Sequence, residues 1–451
     1  MPVRNTSILI NDDHSDVNVC GMLYVPQSDG ERMKKSDAVD PTRDQTNRIC
    51  MVTSTFPRWA DDSVPHFVLE LATDLVATGW QVDVLAPHCK GAAAQEDMDG
   101  VSVTRFRYMW PDSLETLAYG AGGAIYALRR KPWNALLLPL FLLAQIIALH
   151  RLAKRRQIDL INSHWLLPQG LAAAVVARLT GVPHVATAHG GDVLGLKSGF
   201  FAAAKRLVLK QCVAATANSS VTETALRALA PAEFRIERIP LGAAPMPPPV
   251  PEATKIVRDR YAPDGETLLL FVGRLIPQKG CSDLLAAMTL ISQSQPGVRL
   301  IIAGDGPERT TLEKISVDLG IARQVEFAGW TSREELVRLY HAANLFVASP
   351  VRGAGGEVEA FGLVFAEAAL AGLPTVATNS GGIVDIVVAG ETGMLVDEHD
   401  PDQFARAVLQ LMNNPAQAQQ MGAAAKQRAE TRFTRQRAAA AFSEMFKEII
   451  D

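Results

Sequence analysis

The sequence has few cysteines and no strong excess of either charge. Its five cysteines, in 451 residues, are far apart and show neither the paired spacing of a zinc site nor the density of a disulfide framework. Lysine and arginine number 44 against 48 for aspartate and glutamate, so the formal charge is only -4. That balance excludes the chain-wide basic surface that nucleic-acid binding needs. We therefore expect a cytoplasmic protein with no nucleic-acid partner.

Signals for export and membrane crossing are also lacking. The first 46 residues are polar and of mixed charge, without the basic start and apolar run of a signal peptide, and we predict a disordered extension at 1–46. The longest apolar run, 135–149, is shorter than the roughly 20 residues of a membrane-spanning helix and contains Pro139 and Gln145. This run is not expected to cross a bilayer.

Basic residues flank that run on both sides. Residues 129–131 and Trp133 precede it, and Arg151 and residues 154–156 follow it. This pattern suits docking of segment 129–156 onto an anionic membrane surface, which would place the protein peripherally at the inner face of the cytoplasmic membrane. It suits equally a buried helix with solvated ends. Both interpretations stay open.

A chain of this length is too long for one ordinary core and suits two α/β domains. From Arg48 onward, apolar runs alternate with helix-period segments, which is the pattern of parallel sheets covered by helices on both faces. A Pro-rich linker at 241–253 separates a predicted Rossmann-like domain at 47–240 from a second one at 254–430. The chain closes with a helical segment from about 416 to 450, whose end, 431–451, is expected to pack back on the first domain. Predicted strands cover 49–54, 81–86, 101–106, 158–163, 182–188 and 213–217, then 267–272, 299–303, 324–327, 345–348, 374–377 and 394–396.

Two cationic residues follow the first strand of the second domain. Strand 267–272 runs into Gly273 and Arg274, and Lys279 and Gly280 end the loop just before a helix. Ligands of open α/β sheets bind beyond the carboxyl ends of the strands, and the free N–H groups at a helix start favour an anion. A diphosphate would bind well there. The alternative is that both cations are solvated surface charges.

Two carboxylates lie eight residues apart around the start of a later helix. Glu359 is predicted in the loop before the helix and Glu367 about two turns into it, so both can face one ligand. Backbone N–H groups near 362–364 would point at the same ligand. The alternative is that neither acid binds a ligand: Glu359 would only interact favourably with the helix dipole, and Glu367 would lie by chance on a polar face of the helix.

Together, these motifs resemble the retaining glycosyltransferases of family 4, which have the GT-B fold of two Rossmann-like, doubly wound α/β domains facing each other across a cleft. The resemblance covers most of 48–450 and is strongest in the second half. The motifs that carry it are Gly273-Arg274 with Lys279-Gly280, the turn 304–307, the pair Glu359 and Glu367, and 380–382 followed by 392–396.

The resemblance implies a set of donor contacts. Arg274 and Lys279 would neutralise the donor pyrophosphate, as the leaving nucleotide gains charge in the transition state. Glu367 would accept hydrogen bonds from the ribose hydroxyls, and Glu359 would contact the donor sugar. Further donor-binding residues would be Gly273, Gly304, Phe361, Gly362, Leu363, Val364 and, as the seat of the base, Trp330.

The first domain carries a segment similar to the family's His-Gly-x-Asp sequence, at 189–192. The resemblance implies that His189 faces the reacting sugar and that Asp192 supports its loop. His164 and Trp165 end a neighbouring strand and are assigned to the acceptor side. Phe56 is assigned there too, since its loop carries a Phe-Pro pair where many members of the family have paired glycines. The implied catalytic residues are His189, Arg274, Lys279 and Glu359.

We expect no metal ion and no cofactor. His164, His184 and His189 lie at separate strand ends and lack the helical spacing of zinc hydrolases. The cationic pair can supply the positive charge that a divalent ion would otherwise provide.

The predicted function is transfer of a hexosyl unit, with retention, from a UDP- or GDP-sugar to a glycan or lipid-linked acceptor. No carboxylate is placed as a covalent nucleophile, which favours same-face attack assisted by the departing phosphate. Two alternatives stay open. One is a nucleotide-sugar epimerase or phosphorylase on the same scaffold, although no pyridoxal lysine is marked. The other is an inactive glycan- or nucleotide-binding protein, against which the intact cationic and acidic residues argue.

Overall fold

The computed structural model describes residues 46–59, 62, 64–119, 132–195, 198–353 and 355–451. Residues 1–45 of the extension predicted to be disordered lie outside the described residues. The basic residues 129–131 also lie outside them.

The first sheet is built on apolar runs that lie parallel and are buried on both faces. In the described part of the chain it has eight strands in the order β3-β4-β2-β1-β5-β6-β7-β8, and only the pair β3 and β4 is antiparallel. Successive side chains face opposite cores: Ile49 and Met51 pack on one side, Cys50 and Val52 on the other. The strands are β1 (Arg48–Val52), β2 (Gln81–Pro87), β3 (Gln95–Met98), β4 (Val101–Phe106), β5 (Leu160–His164), β6 (His184–Ala188), β7 (Ala214–Ala217) and β8 (Ile236–Arg238).

Helices cover both faces of this sheet. One face carries α1, and the other carries α2, α3 and α5. Phe141 and Leu149 of α2 are buried in the core on that second face, so the helix lies along the sheet. The helices are α1 (Phe67–Ala77), α2 (Leu137–Arg156), α3 (Leu171–Thr180), α4 (Gly191–Leu194), α5 (Gly199–Gln211) and α6 (Ser220–Arg227).

The apolar helix is longer than the run predicted at 135–149. With the turn that precedes it, the segment 134–156 is long and apolar enough, by length and composition, to cross a membrane, with a mean hydropathy of 1.9 in its most apolar stretch. Its inner side chains are buried against the first sheet, as those of a core helix are.

The second sheet has six described strands in the order β11-β10-β9-β12-β13-β14, all parallel. The strands are β9 (Thr267–Val272), β10 (Val298–Ala303), β11 (Val325–Gly329), β12 (Leu345–Ala348), β13 (Thr375–Thr378) and β14 (Gly393–Val396). The helices of this half are α7 (Pro251–Tyr261), α8 (Cys281–Ser294), α9 (Arg309–Asp318), α10 (Arg333–Ala342), α11 (Leu363–Leu370), α12 (Ile383–Ile386), α13 (Pro401–Asn413), α14 (Pro415–Arg432) and α15 (Arg435–Ile450).

The two ends of the second half differ from the sequence prediction. Helix α7 begins at Pro251, inside the range assigned to the linker, because proline suits the first helical position. The closing segment is two helices rather than one, with a break at Phe433 and Thr434. The Thr434 hydroxyl caps α15 by accepting a hydrogen bond from the Arg437 N–H at 3.4 Å.

Helix α15 packs on the first sheet. Its Phe442 and Phe446 lie in the same core as α1, and the Trp80 indole N–H donates to the Ser443 hydroxyl at 2.8 Å. The crossover is fixed by backbone pairing: the Ala243 N–H donates to the Phe433 carbonyl at 2.7 Å. The chain therefore passes between the two sheets twice, at 241–243 and at 433–435.

Candidate donor and acceptor site

The loops after β9 and β10 pack against each other. The Gly273 N–H donates to the Ala303 carbonyl at 3.0 Å, and the Gly304 N–H donates to the Gly329 carbonyl at 2.8 Å. A Cβ atom at Gly304 would overlap the carbonyl oxygen of Gly273. These loops are therefore held rigidly by backbone contacts.

Arg274 and Lys279 bracket a short turn at this edge of the sheet. Arg274 is exposed, and its guanidinium makes no ion pair with any described residue. Lys279 ends the 3-10 turn Pro277–Lys279, and Gly280 follows with a left-handed φ of 64° and starts α8. A Cβ at Gly280 would overlap the Ser349 carbonyl oxygen, so only glycine allows the turn to approach β12 this closely.

Glu359 forms an ion pair with Lys279. The loop that carries Glu359 is fixed by its own carbonyl, which accepts a hydrogen bond from the Gly382 N–H at 2.8 Å. Gly362 is the N-cap of α11, and a Cβ there would lie 3.4 Å from the Glu359 side chain. The structure thus brings Lys279, Glu359 and the start of a helix together.

Glu367 is nearly buried and already has two partners. Its Oε1 accepts a hydrogen bond from Arg333 at 2.6 Å, and its Oε2 accepts one from the Tyr340 hydroxyl at 3.0 Å. Burial raises the pKa of Glu367, and the charge of Arg333 and the Tyr340 hydrogen bond oppose that rise. The carboxylate is held in one orientation at the side of α11.

The other predicted donor residues divide into core and surface. The side chain of Phe361 is buried and packs on Phe433, with ring centroids 5.9 Å apart, so only its backbone is available to a ligand. Leu363 and Val364 form the first turn of α11, where N–H groups lack helical acceptors. The Trp330 side chain is 70% exposed, as a free platform for a base would be.

Two stacked imidazoles lie at the carboxyl edge of the first sheet. The His164 Nδ1 and the His189 Nε2 are 2.9 Å apart, and the rings are nearly parallel, with centroids separated by 5.2 Å. Burial lowers the pKa of His189 to about 3, and burial together with the neighbouring His189 lowers the pKa of His164 well below its usual value. Both rings are therefore neutral. The other ring nitrogens, His164 Nε2 and His189 Nδ1, are buried and have no partner among the described residues.

Asp192 and Trp165 hold this pair in place. The Asp192 carboxylate accepts hydrogen bonds from the Leu166 N–H at 2.8 Å and the His189 N–H at 3.1 Å. Trp165 has a left-handed φ of 73°, and its ring lies 4.8 Å from that of His189. Asp192 thus joins the ends of β5 and β6.

The two sets of loops meet across the cleft. A Cβ at Gly190 would overlap the Cβ of Ala360, so the residues next to His189 and Glu359 touch. The Ser220 N–H donates to Asp385 at 2.6 Å, which links the domains beside that contact. A pocket on the first-domain side is lined by residues of that domain, of the crossover and of α15, among them Phe67, Glu70, Asp74, His164, His189 and Arg435.

Comparison with known proteins identifies the family. Residues 64–245 match the family described as glycosyltransferase family 4, and residues 253–428 match the glycosyl transferases group 1. The structure superposes on sucrose-phosphate synthase from Thermosynechococcus elongatus with a TM-score of 0.72 and 23% identity, over 89% of this chain and 99% of that one. The chain belongs to the GT-B glycosyltransferases. The predicted fold class and family are confirmed.

Curated relatives of this glycosyltransferase act on different substrates. A GDP-mannose-dependent alpha-(1-6)-phosphatidylinositol monomannoside mannosyltransferase of Mycobacterium tuberculosis is 38% identical over 181 residues, covering 40% of this chain and 47% of that protein. The chain thus spans about half the length of the curated relatives it matches first. A glycogen synthase of the same species is 28% identical over 413 residues, covering 88% of this chain and 94% of that protein.

One predicted contact of the glycosyltransferase is wrong. Phe56 was assigned to the acceptor side, but its side chain is fully buried in the core between the first sheet and α1. A large apolar side chain next to a strand end contributes more by packing there than by lining a polar cleft.

Arg333 and Tyr340 are contacts that the sequence analysis missed. The start of α10 at Arg333 was predicted, but nothing in the local pattern links either residue to Glu367, which is 34 and 27 positions away. The only available signal is an arginine at a helix start that follows a strand-end loop, and that pattern is common on protein surfaces.

One group of possible metal ligands occurs among the described residues. His88, Asp112 and Glu115 offer ligand atoms within 4.8 Å of one another. The His88 Nδ1 is 2.5 Å from Glu115, and Asp112 pairs with Arg107, so these groups already satisfy one another. They lie in the first domain, apart from His164 and His189.

Proposed function

We propose that this glycosyltransferase moves a hexosyl unit from a UDP- or GDP-sugar to a glycan or lipid-linked acceptor, with retention of anomeric configuration. The observation that carries the proposal is the Lys279–Glu359 ion pair at the edge of the second sheet, where the Glu359 loop touches the His189 loop and the exposed Arg274 lies in the same loop as Lys279. Cations and a carboxylate at one strand-end edge suit a substrate in which a diphosphate is joined to a sugar.

The donor diphosphate would replace Glu359 as the partner of Lys279. A diphosphate carries more negative charge than one carboxylate, and Arg274 is free to add a second cation. Glu359 would then be released to accept hydrogen bonds from hydroxyls of the sugar. Because the leaving nucleotide gains charge in the transition state, fixed cations stabilise that state more than the ground state. We propose that no metal ion and no cofactor take part.

Glu367 would bind the ribose. A carboxylate has lone pairs for about four hydrogen bonds, so two ribose hydroxyls can bind while Arg333 and Tyr340 keep their contacts. Tyr340 is fully buried and would fix the carboxylate plane. Arg333 is part-exposed and would keep Glu367 ionised as the nucleotide excludes water.

The neutral imidazoles would position the sugar rather than transfer protons. With a pKa of about 3, His189 does not ionise near neutral pH and is a poor general acid. Its Nδ1 and the Nε2 of His164 are buried without a partner among the described residues, and they would bind sugar hydroxyls that displace the side chains covering them. The departing phosphate would accept the proton of the acceptor hydroxyl. Attack by that hydroxyl on the face from which the phosphate leaves would retain the configuration of the sugar.

The similarity to a GDP-mannose-dependent phosphatidylinositol mannoside mannosyltransferase favours a GDP-sugar and a lipid-linked acceptor as the first candidates to test. A cytoplasmic location, where nucleotide sugars and reduced thiols coexist, is part of the proposal. It is supported by the free state of the four cysteines in the described residues, Cys50, Cys89, Cys212 and Cys281.

The test is release of free nucleotide from UDP- and GDP-sugars, measured with and without candidate acceptors. A transferase releases UDP or GDP slowly alone and much faster with its acceptor, and NMR of the product reports whether configuration is retained. Activity that persists in excess EDTA supports metal independence. Conversion of the sugar with the nucleotide still attached would indicate an epimerase, phosphate-dependent turnover a phosphorylase, and no release with any acceptor a binding protein.

A further inference from the structure

Three neighbouring helices on one face of the first sheet contain no acidic residue. Helices α2, α3 and α5 have 20, 10 and 13 residues and include neither aspartate nor glutamate, in a chain with 48 acids. Helix α3 packs against both of the others, so the three form one continuous layer. The opposite face differs, because α1 carries Glu70 and Asp74 and α15 carries Glu444 and Glu448.

Large apolar side chains project outward from all three helices. Their exposed fractions are far above those of core residues, which shows that they do not contribute to the core of the sheet. They are Leu136 (78%), Leu140 (44%), Leu143 (55%) and Ile147 (40%) on and just before α2, Val175 (37%) and Leu179 (64%) on α3, and Phe200 (78%) and Leu207 (50%) on α5.

Exposed cations accompany these apolar side chains. None of them forms an ion pair with any residue in the described part of the chain, so their charges are uncompensated. They are Arg151, Lys154, Arg155, Arg178, Arg206 and Lys210. The apolar residues and these cations together define what we call the basic apolar face.

Helix α2 is apolar on its outer side as well as on the inner side that packs Phe141 and Leu149, unlike an ordinary surface helix. Its outward stripe consists of Leu140, Leu143 and Ile147. Its inward side carries Gln145, which is fully buried and whose amide has no hydrogen-bond partner among the described residues. Placing an unpaired amide inside and leucines outside is unfavourable in water, so the outward stripe indicates an apolar environment outside the protein.

We propose that the basic apolar face docks onto an anionic lipid bilayer, with the chain seated at the membrane surface. Apolar side chains would enter the headgroup boundary while the cations pair with lipid phosphates. A second copy of this chain fits less well, because two such faces would bring twelve uncompensated cations together. A nucleic acid would accept the cations but gain nothing from the leucines between them. The proposal does not depend on the proposed reaction.

The experiment is sedimentation of the full chain with vesicles of phosphatidylcholine, with and without phosphatidylglycerol. We expect binding to the anionic vesicles that weakens with salt. Two double variants test the face: Lys154→Glu with Arg155→Glu, and Leu143→Ser with Ile147→Ser. Each should weaken binding by about tenfold or more, since each basic residue near the surface and each inserted aliphatic chain contributes separately.

Matched controls lie on exposed surface of the second domain. They are Arg406→Glu with Lys426→Glu, and Ile256→Ser with Val317→Ser. These controls should bind vesicles as the parent chain does. All four double variants should keep the parent thermal unfolding temperature and the parent affinity for UDP or GDP, which separates lost docking from lost folding.

Several results would overturn the proposal. Equal binding to neutral and anionic vesicles would show that charge does not drive docking. Equal losses of binding in the face variants and the control variants would show that the basic apolar face is not the docking surface. Retention in membranes after alkaline carbonate extraction would mean that 134–156 spans the bilayer. Self-association that the face variants abolish, without vesicle binding, would assign the face to a second copy. Competition of duplex DNA for the face in place of vesicles would assign it to nucleic acid.

Discussion

On the second-domain side of the cleft, Arg274, Lys279 and Glu359 are charged and at least partly exposed, whereas on the first-domain side the stacked pair His164 and His189 is neutral. Arg274, Lys279 and Glu359 keep access to a ligand and lie on loops locked by backbone contacts. His164 and His189 have no charge, because burial lowers the pKa of both rings, and both line the pocket on the first-domain side.

The difference fits the proposed function, in which the second domain binds a diphosphate and the first domain binds sugar hydroxyls. A diphosphate has a fixed charge and needs fixed cations, which remain solvated until it arrives. Sugar hydroxyls are neutral and are bound best by neutral donors and acceptors whose orientation is set in advance. The account therefore predicts charge effects on one side of the cleft and positioning effects on the other.

The largest effect is expected from removing a cation on the donor side. Lys279→Ala should lower kcat/KM by about 100-fold or more, because a charge that stabilises the leaving diphosphate is lost from a preorganised site. Steady-state kinetics measures it. Lys255→Ala, an exposed lysine paired with Asp259 on α7, is the control and should be neutral. A loss of less than about tenfold for Lys279→Ala would contradict the claim that charge dominates on the second-domain side of the cleft.

The second effect tests the rigidity of the donor-side loops. Gly280→Ala should lower the free energy of unfolding by about 3 kcal/mol, combining left-handed strain with overlap on the Ser349 carbonyl. Gly265→Ala is the control: its φ is +80° but nothing lies within 4 Å of the new Cβ, so only about 1 kcal/mol is expected. Urea unfolding compares the two. Equal losses would mean that the loop relaxes freely.

The third effect tests whether Glu367 is held for the nucleotide. Arg333→Ala and Tyr340→Phe should each raise the donor KM about tenfold, because each leaves one carboxylate oxygen less well held. Arg333 opposes the rise in pKa that burial imposes on Glu367, so without Arg333 that pKa rises further. The KM defect of Arg333→Ala should therefore grow as pH falls and the carboxylate protonates. Arg338→Ala, on the same helix, should change neither KM nor its pH dependence.

The smallest effect concerns the neutral state of His189. In the unfolded chain its pKa is about 6.5, whereas in the folded protein it is about 3. The unfolded state thus binds the extra proton, and stability is lost as pH falls below 6.5. His189→Gln should lose about 1 kcal/mol less than the parent between about pH 7 and about pH 5.7, measured by urea unfolding at each pH. The same pH dependence in both proteins would show that this ring is already charged.

Most strands were predictable because parallel strands buried on both faces are continuous apolar runs. The strands β3 and β8 were not, since the sequences Gln95–Met98 and Ile236–Arg238 lack that signal and are ordered by pairing with a neighbouring strand. The break between α14 and α15 has no proline or glycine. It comes from backbone hydrogen bonds to Ala243, which is distant in sequence.

The donor side of the site was likewise more predictable than the acceptor side. Arg274, Lys279 and Glu359 stand at strand ends and helix starts, whose position follows from the local pattern. Whether Phe56 faces the cleft or the core, and that Arg333 reaches Glu367, depend on tertiary packing that no local pattern encodes.

The most direct test of the central claim is a crystal structure of the full chain with bound UDP or GDP. The account predicts that the diphosphate lies between Arg274 and Lys279, that the Lys279–Glu359 ion pair has opened, and that the ribose contacts Glu367. A nucleotide bound elsewhere, or a diphosphate bound with that ion pair intact, would contradict it.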